Sequence, residues 1–545
     1  MNTLIFGAFI SAAFTSLMLL PFLQKVAVRF GGMDAVEDRK VHQRNIPRLG
    51  GVAIFSGFLV PYLVFSDLDR QSWWLVVGGV IIFITGLADD FFNLRPRYKL
   101  CGEILAAFVG VVLGGLSLTS LGNPLGFGEI ALGRLALPFT VFAVVGVINA
   151  INLIDGLDGL AGGVSSIACV ALGVLALKTG NSALLLLIGA LLGGLLGFLR
   201  SNTYPAKIFM GDSGSLFLGY CLAFFSIKLV TEGNGTIAPF VPLIILGVPL
   251  LDTLVVMINR FLKGEKIYLP DKTHVHHRLL AMGIDHKSCV FILYGISYLF
   301  CLLAVFLHDF PELQLLITFL WAAVTFYAAV NLFTKGAIRK SCSKAVSSIK
   351  SLWKLTPSTP QLILIIKCLL LTILILSISI PLTQKVDFGI FVSCLLFLIM
   401  GLLFSRDSWG RMLFQIIIYM SALCMVYMVE HYSAGVSILG LPLNQLWNTL
   451  FFLLFILVFL KITLRGYWQV LIDSPFEYFI LFMVISIPLL PPELATKYHL
   501  LAVAAKSAIL FAAYKLYIMN QLEPKRKIMF ATGTALFAFS LILLI

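Results

Sequence analysis

The apolar positions of this sequence lie in long runs that recur along nearly its whole length. A transmembrane helix needs about 20 such residues, and we place about eleven runs before Phe333 and about seven more in residues 361–545. The first run, residues 3–23, lacks the basic start and small-residue cleavage site of a signal peptide, so we interpret it as a retained span. The pattern predicts an all-α fold, a polytopic transmembrane helical bundle.

The polar segments between these runs divide the chain into three parts. Residues 1–334 contain long polar loops with acidic, histidine and glycine-rich motifs, and we predict that they form a catalytic membrane domain. Residues 335–360 are basic and contain serines, as expected for a cytoplasmic linker. Residues 361–545 return to hydrophobic spans with short loops, and we predict a second multi-span membrane module there, whose role the sequence does not indicate.

A glycine repeat interrupts the apolar pattern of the seventh predicted span. Gly189, Gly193 and Gly197 recur at every fourth position. Small residues at this spacing allow a neighbouring membrane helix to approach closely. We therefore interpret the repeat as a packing surface and not as part of a catalytic site.

Composition and charge strengthen the membrane interpretation. The chain is 60% hydrophobic and 12% charged, with a mean hydropathy of +1.00, and a soluble domain cannot bury so much apolar surface. The net charge of +13 is compatible with nucleic-acid binding, but its distribution argues against that partner. With the N-terminus outside, about 31 of the Lys and Arg residues fall in cytoplasmic segments, as the positive-inside rule requires. Most of the excess charge is therefore topological.

Five polar clusters fall on the same predicted side of the membrane, the cytoplasmic side. They comprise residues 38–51, the pair Asp89 and Asp90, and residues 149–159, 202–215 and 274–278. Helix-end solvation is the alternative explanation for Asp89 and Asp90 taken alone. However, Asp155, Asp158 and Asp212 add carboxylates to the same face, where they are costly unless a cation neutralises them.

The donor chemistry of this face favours a hard metal ion. The nine cysteines show no CxxC spacing and lie mostly in hydrophobic runs, which argues against a disulfide frame or a zinc site. Carboxylate and amide oxygens suit Mg²⁺, which typically binds one or two carboxylates together with substrate phosphates. The sequence therefore predicts a Mg²⁺ site and a nucleotide diphosphate substrate.

One motif has the residue pattern of a binding loop. Asn149, Asn152 and Asp155 share roughly one helical face, and Gly156 and Gly159 then break the helix and permit close backbone approach to a ligand.

The segment at Asp212 allows two interpretations. Asp212 and the residues after it form either an ordinary helix N-cap or a helix start that stabilises a metal-bound phosphate. Phe209, three residues earlier, is either a buried aromatic or a stacking platform for a base.

A histidine cluster precedes the last two apolar runs of the first part. His274, His276 and His277 lie within four positions, next to Arg278. A lone loop histidine is usually a solvated residue, but three together suggest phosphate contacts or proton handling. Zinc binding is less favoured, because no cysteine or second histidine cluster shares the face.

Five segments in this order resemble one known family. They read DRKVHQRNIPRLGG, GLADD, NAINLIDGLDGLAGG, FMGDSGS and HVHHRL. Over residues 1–334 the chain resembles the polyprenyl-phosphate N-acetylhexosamine-1-phosphate transferases, glycosyltransferase family 4. The resemblance implies a multi-pass enzyme of the bacterial inner membrane with its active site at the cytoplasmic face. Its substrates would be a UDP-sugar and undecaprenyl phosphate, its cofactor Mg²⁺ (with Mn²⁺ as an alternative) and its products polyprenyl-diphospho-sugar and UMP. That reaction would initiate synthesis of a lipid-linked surface polysaccharide.

The resemblance also implies roles for individual residues. Asp89 would deprotonate or orient the lipid phosphate, Asp90 would support the metal site, and Asp212 would be the principal Mg²⁺ ligand. Phe209 would stack on uracil. The residues matched to catalysis are Asp89, Asp90, Asp155 and Asp158; those matched to the metal are Asp212, Asp90 and Asn152; and those matched to substrate binding are Asn149, Asn152, Asn202, Phe209, His274, His276, His277 and Arg278.

Details of the motifs favour one branch of the family. The branch that uses UDP-N-acetylmuramoyl-pentapeptide has three consecutive histidines and a lysine three residues after the second Asp, where this chain has His-Val-His-His and Asn93. These departures favour the branch that transfers N-acetylglucosamine 1-phosphate. In this chain, Lys99 or Arg95 would then make the phosphate contact that the lysine makes in the other branch. The muramoyl substrate remains the alternative within the family.

A lipid-linked sugar transporter or flippase is the alternative from another class. About eighteen spans are typical of transporters, but those place ionisable residues near the membrane midplane. Here the acidic residues cluster at predicted helix ends, and few charges such as Lys367 lie deep in a span. The sequence leaves a homodimer open.

Overall fold

The computed structural model describes residues 2–30, 33–34, 46–66, 69–233, 235–264 and 274–334, and, in the remainder, chiefly 437–438, 441–465 and 499–519. The described residues fall into two units, one ending after Thr334 and one formed by the later segments. Both are built of helices, which confirms the expected all-α fold.

Thirteen helices form the described part of the first unit. They are α1 (Asn2–Phe30), α2 (Gly50–Phe65), α3 (Arg70–Phe92), α4 (Pro96–Phe108), α5 (Ala136–Ile154), α6 (Leu160–Lys178), α7 (Ser182–Asn202), α8 (Gly211–Glu232), α9 (Val241–Ile245), α10 (Gly247–Lys263), α11 (Val275–Ala281), α12 (His286–Phe306) and α13 (Glu312–Thr334). One short antiparallel pair, β1 (Met33–Asp34) with β2 (Ile46–Pro47), lies between α1 and α2.

The helices have the dimensions of membrane spans. Within the described residues, α1, α3, α5, α6, α7, α8 and α12 are long and apolar enough to cross a bilayer, and α2 and α13 contain shorter apolar helices. The described residues of this unit thus contain nine apolar helices, seven long and two shorter, compared with the about eleven spans expected before residue 334. The polytopic prediction is therefore confirmed.

Helix α8 is the centre of this unit. Its residues from Ser213 to Leu229 are buried without interruption, and it packs against α2, α3, α5, α6 and α7. A helix that is apolar on every side requires such an environment.

The glycine repeat on α7 has the packing role expected from its spacing. A Cβ added at Gly193 would lie 2.2 Å from the carbonyl oxygen of Phe9, and one at Gly197 would lie 2.6 Å from that of Ala13. Helices α1 and α7 therefore approach at backbone distance, and the packing interpretation is confirmed.

Successive helices cross the unit in alternating directions, so the motifs collect at one end. We call this the motif end; it comprises residues 46–51, 89–99, 149–159, 202–215 and 274–286. The opposite end comprises residues 69–71, 114–135, 179–182, 228–233, 235–240 and 307–312. At the motif end, Asn93 ends α3 in a left-handed conformation (φ 48°), and Pro96 begins α4. This tight turn brings α4 back beside α3.

The second unit is described only in part. A short antiparallel pair, β3 (Ser437–Ile438) with β4 (Leu441–Pro442), leads into α14 (Leu443–Arg465), which packs against α15 (Leu500–Met519). Lys506 Nζ contacts the side chains of Glu430 and Asn448. The linker predicted at 335–360 and most of the seven predicted C-terminal spans lie outside the described residues.

Candidate active site

A lysine lies between two carboxylates at the motif end. Lys99 Nζ, on α4, is 2.7 Å from Asp212 Oδ1 and 3.1 Å from Asp89 Oδ2. When the Asn152 carboxamide nitrogen faces Asp212 Oδ1 (2.8 Å), its oxygen accepts from Lys99 Nζ at 3.0 Å. Each of the three ammonium protons then has an oxygen acceptor. These four side chains, from α3, α4, α5 and α8, are called the Lys99 cluster below.

Asp90 contacts the backbone that carries Asp212, at the start of α8. Its Oδ1 accepts a hydrogen bond from Asp212 N at 2.7 Å, and its Oδ2 accepts one from Ser213 N at 3.0 Å. The N-cap position of α8 is Met210, so the interpretation of Asp212 as an ordinary N-cap is wrong. The cap comes instead from Asp90 on α3, whose negative charge is favourable at a helix N-terminus. In this way Asp90 fixes the backbone that carries Asp212.

Two glycines let neighbouring helices reach the start of α8. A Cβ at Gly86 of α3 would lie 2.5 Å from the carbonyl oxygen of Asp212, and a Cβ at Gly51 of α2 would lie 2.3 Å from Gly214 N. Real Cβ atoms do not approach backbone atoms so closely. The position of Asp212 therefore depends on glycine, which has no side chain, at positions 86 and 51.

Asn149 is oriented by a buried glutamate that the sequence analysis missed. Its Nδ2 donates to Glu103 Oε2 at 2.5 Å and to the carbonyl oxygen of Val145 at 3.0 Å. Glu103 is 1% exposed and follows Lys99 by one helical turn on α4. With both amide protons used, the Asn149 carboxamide has only its oxygen left for a ligand. The four-residue spacing of Lys99 and Glu103 is a signal that could have identified this residue.

Asp155 follows the last residue of α5 and lies among other carboxylates. Desolvation, followed by the nearby negative charges of Asp212, Asp90 and Asp158, raises the pKa of Asp155 to about 7, and Arg48 opposes this rise. An added positive charge near Asp155 would favour its ionised form. Asp155 thus lies close to three other carboxylates and to one arginine that offsets part of their charge.

The segments 155–159 and 203–210 are joined by side chains predicted to bind substrate or catalyse. Asn202, which is 4% exposed, accepts from Gly159 N at 3.0 Å and donates to the carbonyl oxygen of Ile208 at 2.9 Å. Asp158 Oδ2 accepts from Ala206 N at 2.9 Å. In this structure, Asn202 and Asp158 hold the two loops together.

The first motif joins the same assembly through its backbone. Phe209 N donates to the carbonyl oxygen of Pro47 at 2.7 Å, and Gly50 N and Gly51 N donate to the carbonyl oxygens of Phe209 and Met210 at 2.9 and 2.7 Å. The Phe209 side chain is half-buried, so its stacking on a base stays a prediction. Residues 38–42 of this motif lie outside the described residues.

The first histidine is held by α10. His274 Nδ1 is 2.9 Å from Asp252 Oδ2, and the other carboxylate oxygen of Asp252 accepts from Val275 N at 2.9 Å. Both side chains are buried. This pair fixes the start of α11, so His274 has a partner within the protein.

The second histidine lies against the 155–159 loop. A Cβ at Gly156 would lie 2.3 Å from His276 Nε2, so only glycine fits beside the ring. Burial lowers the pKa of His276 to about 3, and the ring is therefore neutral at pH 7. His277 packs on His276 with a centroid distance of 4.3 Å, and His277 and Arg278 are half-buried.

A fourth histidine contacts the same loop and was not singled out from the sequence. His286, the first residue of α12, accepts a hydrogen bond from Asp158 N at Nε2, at 3.0 Å. Its ring lies 4.6 Å from that of Tyr204. No short motif marks His286 in the sequence, because its contact depends on how α12 packs against α6.

The described donors fit Mg²⁺ as an ion shared with a substrate. No three His, Cys, Asp or Glu side chains among the described residues converge into a complete metal site. Asp212, Asp89 and Asn152 supply only oxygen and amide donors, as a hard cation prefers. Mg²⁺ commonly completes its shell with phosphate oxygens and water. This donor set therefore suits a metal bound together with a diphosphate.

The structure places the predicted residues in two groups. Asp89, Asn152 and Asp212 meet at Lys99, with Asp90 behind them and Asn149 one turn away on α5. Asp158, Asn202 and His276 instead contact the backbone of the loops around them, and His274 contacts α10. All these residues lie at the motif end.

Comparison with known proteins identifies the family to which the sequence is similar. Residues 72–230 match the family Glycosyl transferase family 4. The chain is 39% identical over 305 residues, 55% of its length and 84% of the relative's, to a probable undecaprenyl-phosphate N-acetylglucosaminyl 1-phosphate transferase of Bacillus subtilis (strain 168). It is 32% identical over 317 residues to the undecaprenyl-phosphate alpha-N-acetylglucosaminyl 1-phosphate transferase of Escherichia coli (strain K12), covering 57% of this chain and 86% of that relative.

Proposed function

The chain belongs to glycosyl transferase family 4, and on that basis we propose that it transfers N-acetylglucosamine 1-phosphate from UDP-GlcNAc to undecaprenyl phosphate. The observation that carries the proposal is the Lys99 cluster, in which Asp89, Asp212 and Asn152 surround one ammonium group at the motif end. The printed names of the relatives supply the acceptor lipid and the transferred group. The donor nucleotide is inferred from the acidic, oxygen-rich site.

The proposed reaction exchanges one phosphate partner for another. An oxygen of the lipid phosphate forms a bond to the β-phosphorus of the UDP-sugar, and the bond from that phosphorus to the bridging oxygen breaks, releasing UMP. Little covalent work is left to the protein in such a transfer, which depends on positioning and charge neutralisation. Lys99 supplies a positive charge for the phosphate oxygens, and Asp89, its ion-pair partner, orients or deprotonates the lipid phosphate.

Mg²⁺, or Mn²⁺ in its place, would offset the charge that develops on the leaving UMP. Asp212 and Asn152 would hold the ion, because their polar atoms already face a cation in the Lys99 cluster. Asp90 acts indirectly in this proposal, since both of its oxygens accept hydrogen bonds from the α8 backbone. Asn149 contributes an oxygen acceptor whose direction is set by Glu103.

We also propose where the reaction takes place. UDP-sugars are cytoplasmic, and by the positive-inside rule the basic loops favour a cytoplasmic location of the motif end. The bacterial relatives suggest the inner membrane, and the product would start a lipid-linked surface polysaccharide.

The test is UMP release by the purified chain in nanodiscs with Mg²⁺ and undecaprenyl phosphate. The donors compared are UDP-GlcNAc, other UDP-N-acetylhexosamines and UDP-N-acetylmuramoyl-pentapeptide. We expect UDP-GlcNAc to give the highest kcat/KM and the pentapeptide donor to give none. Release only from the pentapeptide donor would move the chain to the other branch of the family. Lack of release from every donor, by folded protein, would reject the proposed function.

A further inference from the structure

The loop 155–159 has little regular structure of its own and is held by its neighbours. Besides the Asn202 and Ala206 contacts described above, its Gly159 carbonyl oxygen accepts from Tyr294 Oη at 2.5 Å. The Asp158 N–H donates to His286 Nε2 at 3.0 Å. Helix α12 thus contacts this loop twice, once from its first residue and once two turns later.

The hydrogen bond between Asp158 and His286 defines the state of the imidazole ring. A backbone N–H can only donate, so Nε2 must be the unprotonated acceptor nitrogen and the ring must be neutral. The proton then resides on Nδ1, which is buried and makes no hydrogen bond. His286 therefore makes its single hydrogen bond to the backbone of this loop.

The position of His286 is set by the start of α12. Asp285 caps the helix, with Ser288 N donating to one carboxylate oxygen at 3.1 Å and Ser288 Oγ donating to the other at 2.7 Å. A capped first turn holds its side chains more firmly than a frayed one. The acceptor nitrogen is thus presented to the loop from a fixed element.

The same ring also contacts the second loop of the site. It lies 4.6 Å from the ring of Tyr204, with 35° between the planes, and Ala206, two residues later, donates its N–H to Asp158 Oδ2. The backbone N–H of Asp158 and its carboxylate are therefore tied to His286 and to a segment that His286 contacts. Displacement of this ring would remove the acceptor of the Asp158 N–H and the ring contact with Tyr204.

We propose that His286 is a positioning residue for the nucleotide sugar, acting through the Asp158 N–H to hold the loop 155–159 in its binding conformation. The inference rests on the proposed function, because the ligand of this loop is taken to be the UDP-sugar. It predicts an effect on donor binding and not on the lipid, whose proposed contacts are at Asp89 and Lys99.

Two substitutions distinguish the role of the His286 acceptor nitrogen from that of its aromatic ring. His286→Gln keeps an acceptor at about the distance of Nε2 but removes the aromatic ring, whereas His286→Phe keeps the ring and removes the acceptor. Leaving this part-buried N–H without its acceptor destabilises the binding conformation of the loop, by enough to weaken nucleotide binding about tenfold. We expect His286→Phe to raise the KM for UDP-GlcNAc about tenfold with little change in the KM for lipid. His286→Gln should stay within about threefold of wild type.

The control is His308→Phe, beyond the other end of the same helix, where His308 pairs with Asp309; its KM values should be unchanged. UMP affinity, measured by calorimetry on the purified proteins, should fall in His286→Phe and recover in His286→Gln. A normal His286→Phe variant, or equal impairment of both His286 variants, would overturn the inference. If wild type released no UMP, the proposed function would fail, while the UMP affinities would still test the role of His286.

Discussion

Two lysine-centred clusters lie at opposite ends of the first unit, and they differ in charge balance. At the motif end, Lys99 forms ion pairs with two carboxylates, Asp89 and Asp212. At the opposite end, Lys228 on α8 pairs with one carboxylate, Glu232, and donates to Gln71 Oε1 at 2.6 Å. The second oxygen of Glu232 accepts from Asn181 at 2.9 Å.

The opposite-end network is electrically neutral and joins α3, α7 and α8. A partly buried ion pair with all its partners supplied is a structural contact that needs no ligand. The Lys99 cluster has one lysine for two carboxylates, and Asp90 and Asp155 lie nearby, with Arg48 offsetting part of their negative charge. Carboxylates gathered in this way at a membrane surface favour the binding of a cation. The difference therefore separates the proposed metal–phosphate site from a contact that only holds helices together.

The largest expected effect comes from removing one charge of the Lys99 cluster. Asp212→Asn should lower kcat by at least about 100-fold, because metal stabilisation of the transition state is worth several kcal/mol. The protein should stay folded, since Asp90 caps the α8 backbone and not this side chain. UMP release per folded molecule is the measurement, with Glu232→Gln as the matched control at the opposite end. Near-normal release by Asp212→Asn would remove this residue from the metal site.

A smaller effect should follow when the start of α8 is displaced without a change of charge. Gly86→Ala would place a Cβ 2.5 Å from the carbonyl oxygen of Asp212, so the helix end must move. We expect kcat to fall about tenfold or more, since small misplacements of catalytic groups have effects of this size. Gly79→Ala, two turns earlier on α3, is the control, because its nearest contact would be an ordinary 3.4 Å. Equal rates for the two variants would contradict this account of how Asp212 is positioned.

Phe209→Ala should affect one substrate more than the other. Stacking of a base on an aromatic side chain is worth about 1–3 kcal/mol, so the KM for UDP-GlcNAc should rise by about tenfold. The KM for lipid should hardly change. Steady-state kinetics with each substrate varied in turn provide the measurement. Parallel increases in both constants would show that the half-buried Phe209 packs against the protein.

The smallest effect on turnover is expected at the opposite end. Lys228→Met removes the partner of Glu232 and should lower stability by about 1–2 kcal/mol, because Glu232 keeps Asn181 and partial exposure to solvent. Its kcat should stay within about twofold of wild type. Thermal unfolding in detergent and UMP release per folded molecule measure the two quantities. A large loss of kcat with unchanged stability would show that this cluster also takes part in function.

Much of the fold followed from the apolar runs, because a 20-residue span has few structural alternatives in a bilayer. The polytopic helical architecture and the packing role of Gly193 were predicted this way. Interactions between distant segments were not predicted. The cap that Asp90 provides for α8 links residues more than 120 positions apart, and the sequence offered an N-cap at Asp212 only as one of two interpretations.

The candidate site could be predicted as a set of residues but not as an arrangement. Clustered carboxylates and asparagines identified Asp89, Asn152 and Asp212, which the structure brings to one lysine. Glu103 and His286 were missed because each is a single polar residue next to an apolar run. Their partners become neighbours only when α4 packs against α5 and α12 against α6.

The most direct test of the central claim is the environment of a bound metal in the two lysine clusters. Purified chain is loaded with Mn²⁺ and UDP-GlcNAc, and electron–nuclear double resonance is used to detect phosphorus coupled to the bound ion. The account predicts phosphorus-coupled Mn²⁺ in the wild type and in Lys228→Met, and its loss in Asp212→Asn. An unchanged signal in Asp212→Asn, or its loss in folded Lys228→Met, would contradict a metal–diphosphate site at the Lys99 cluster.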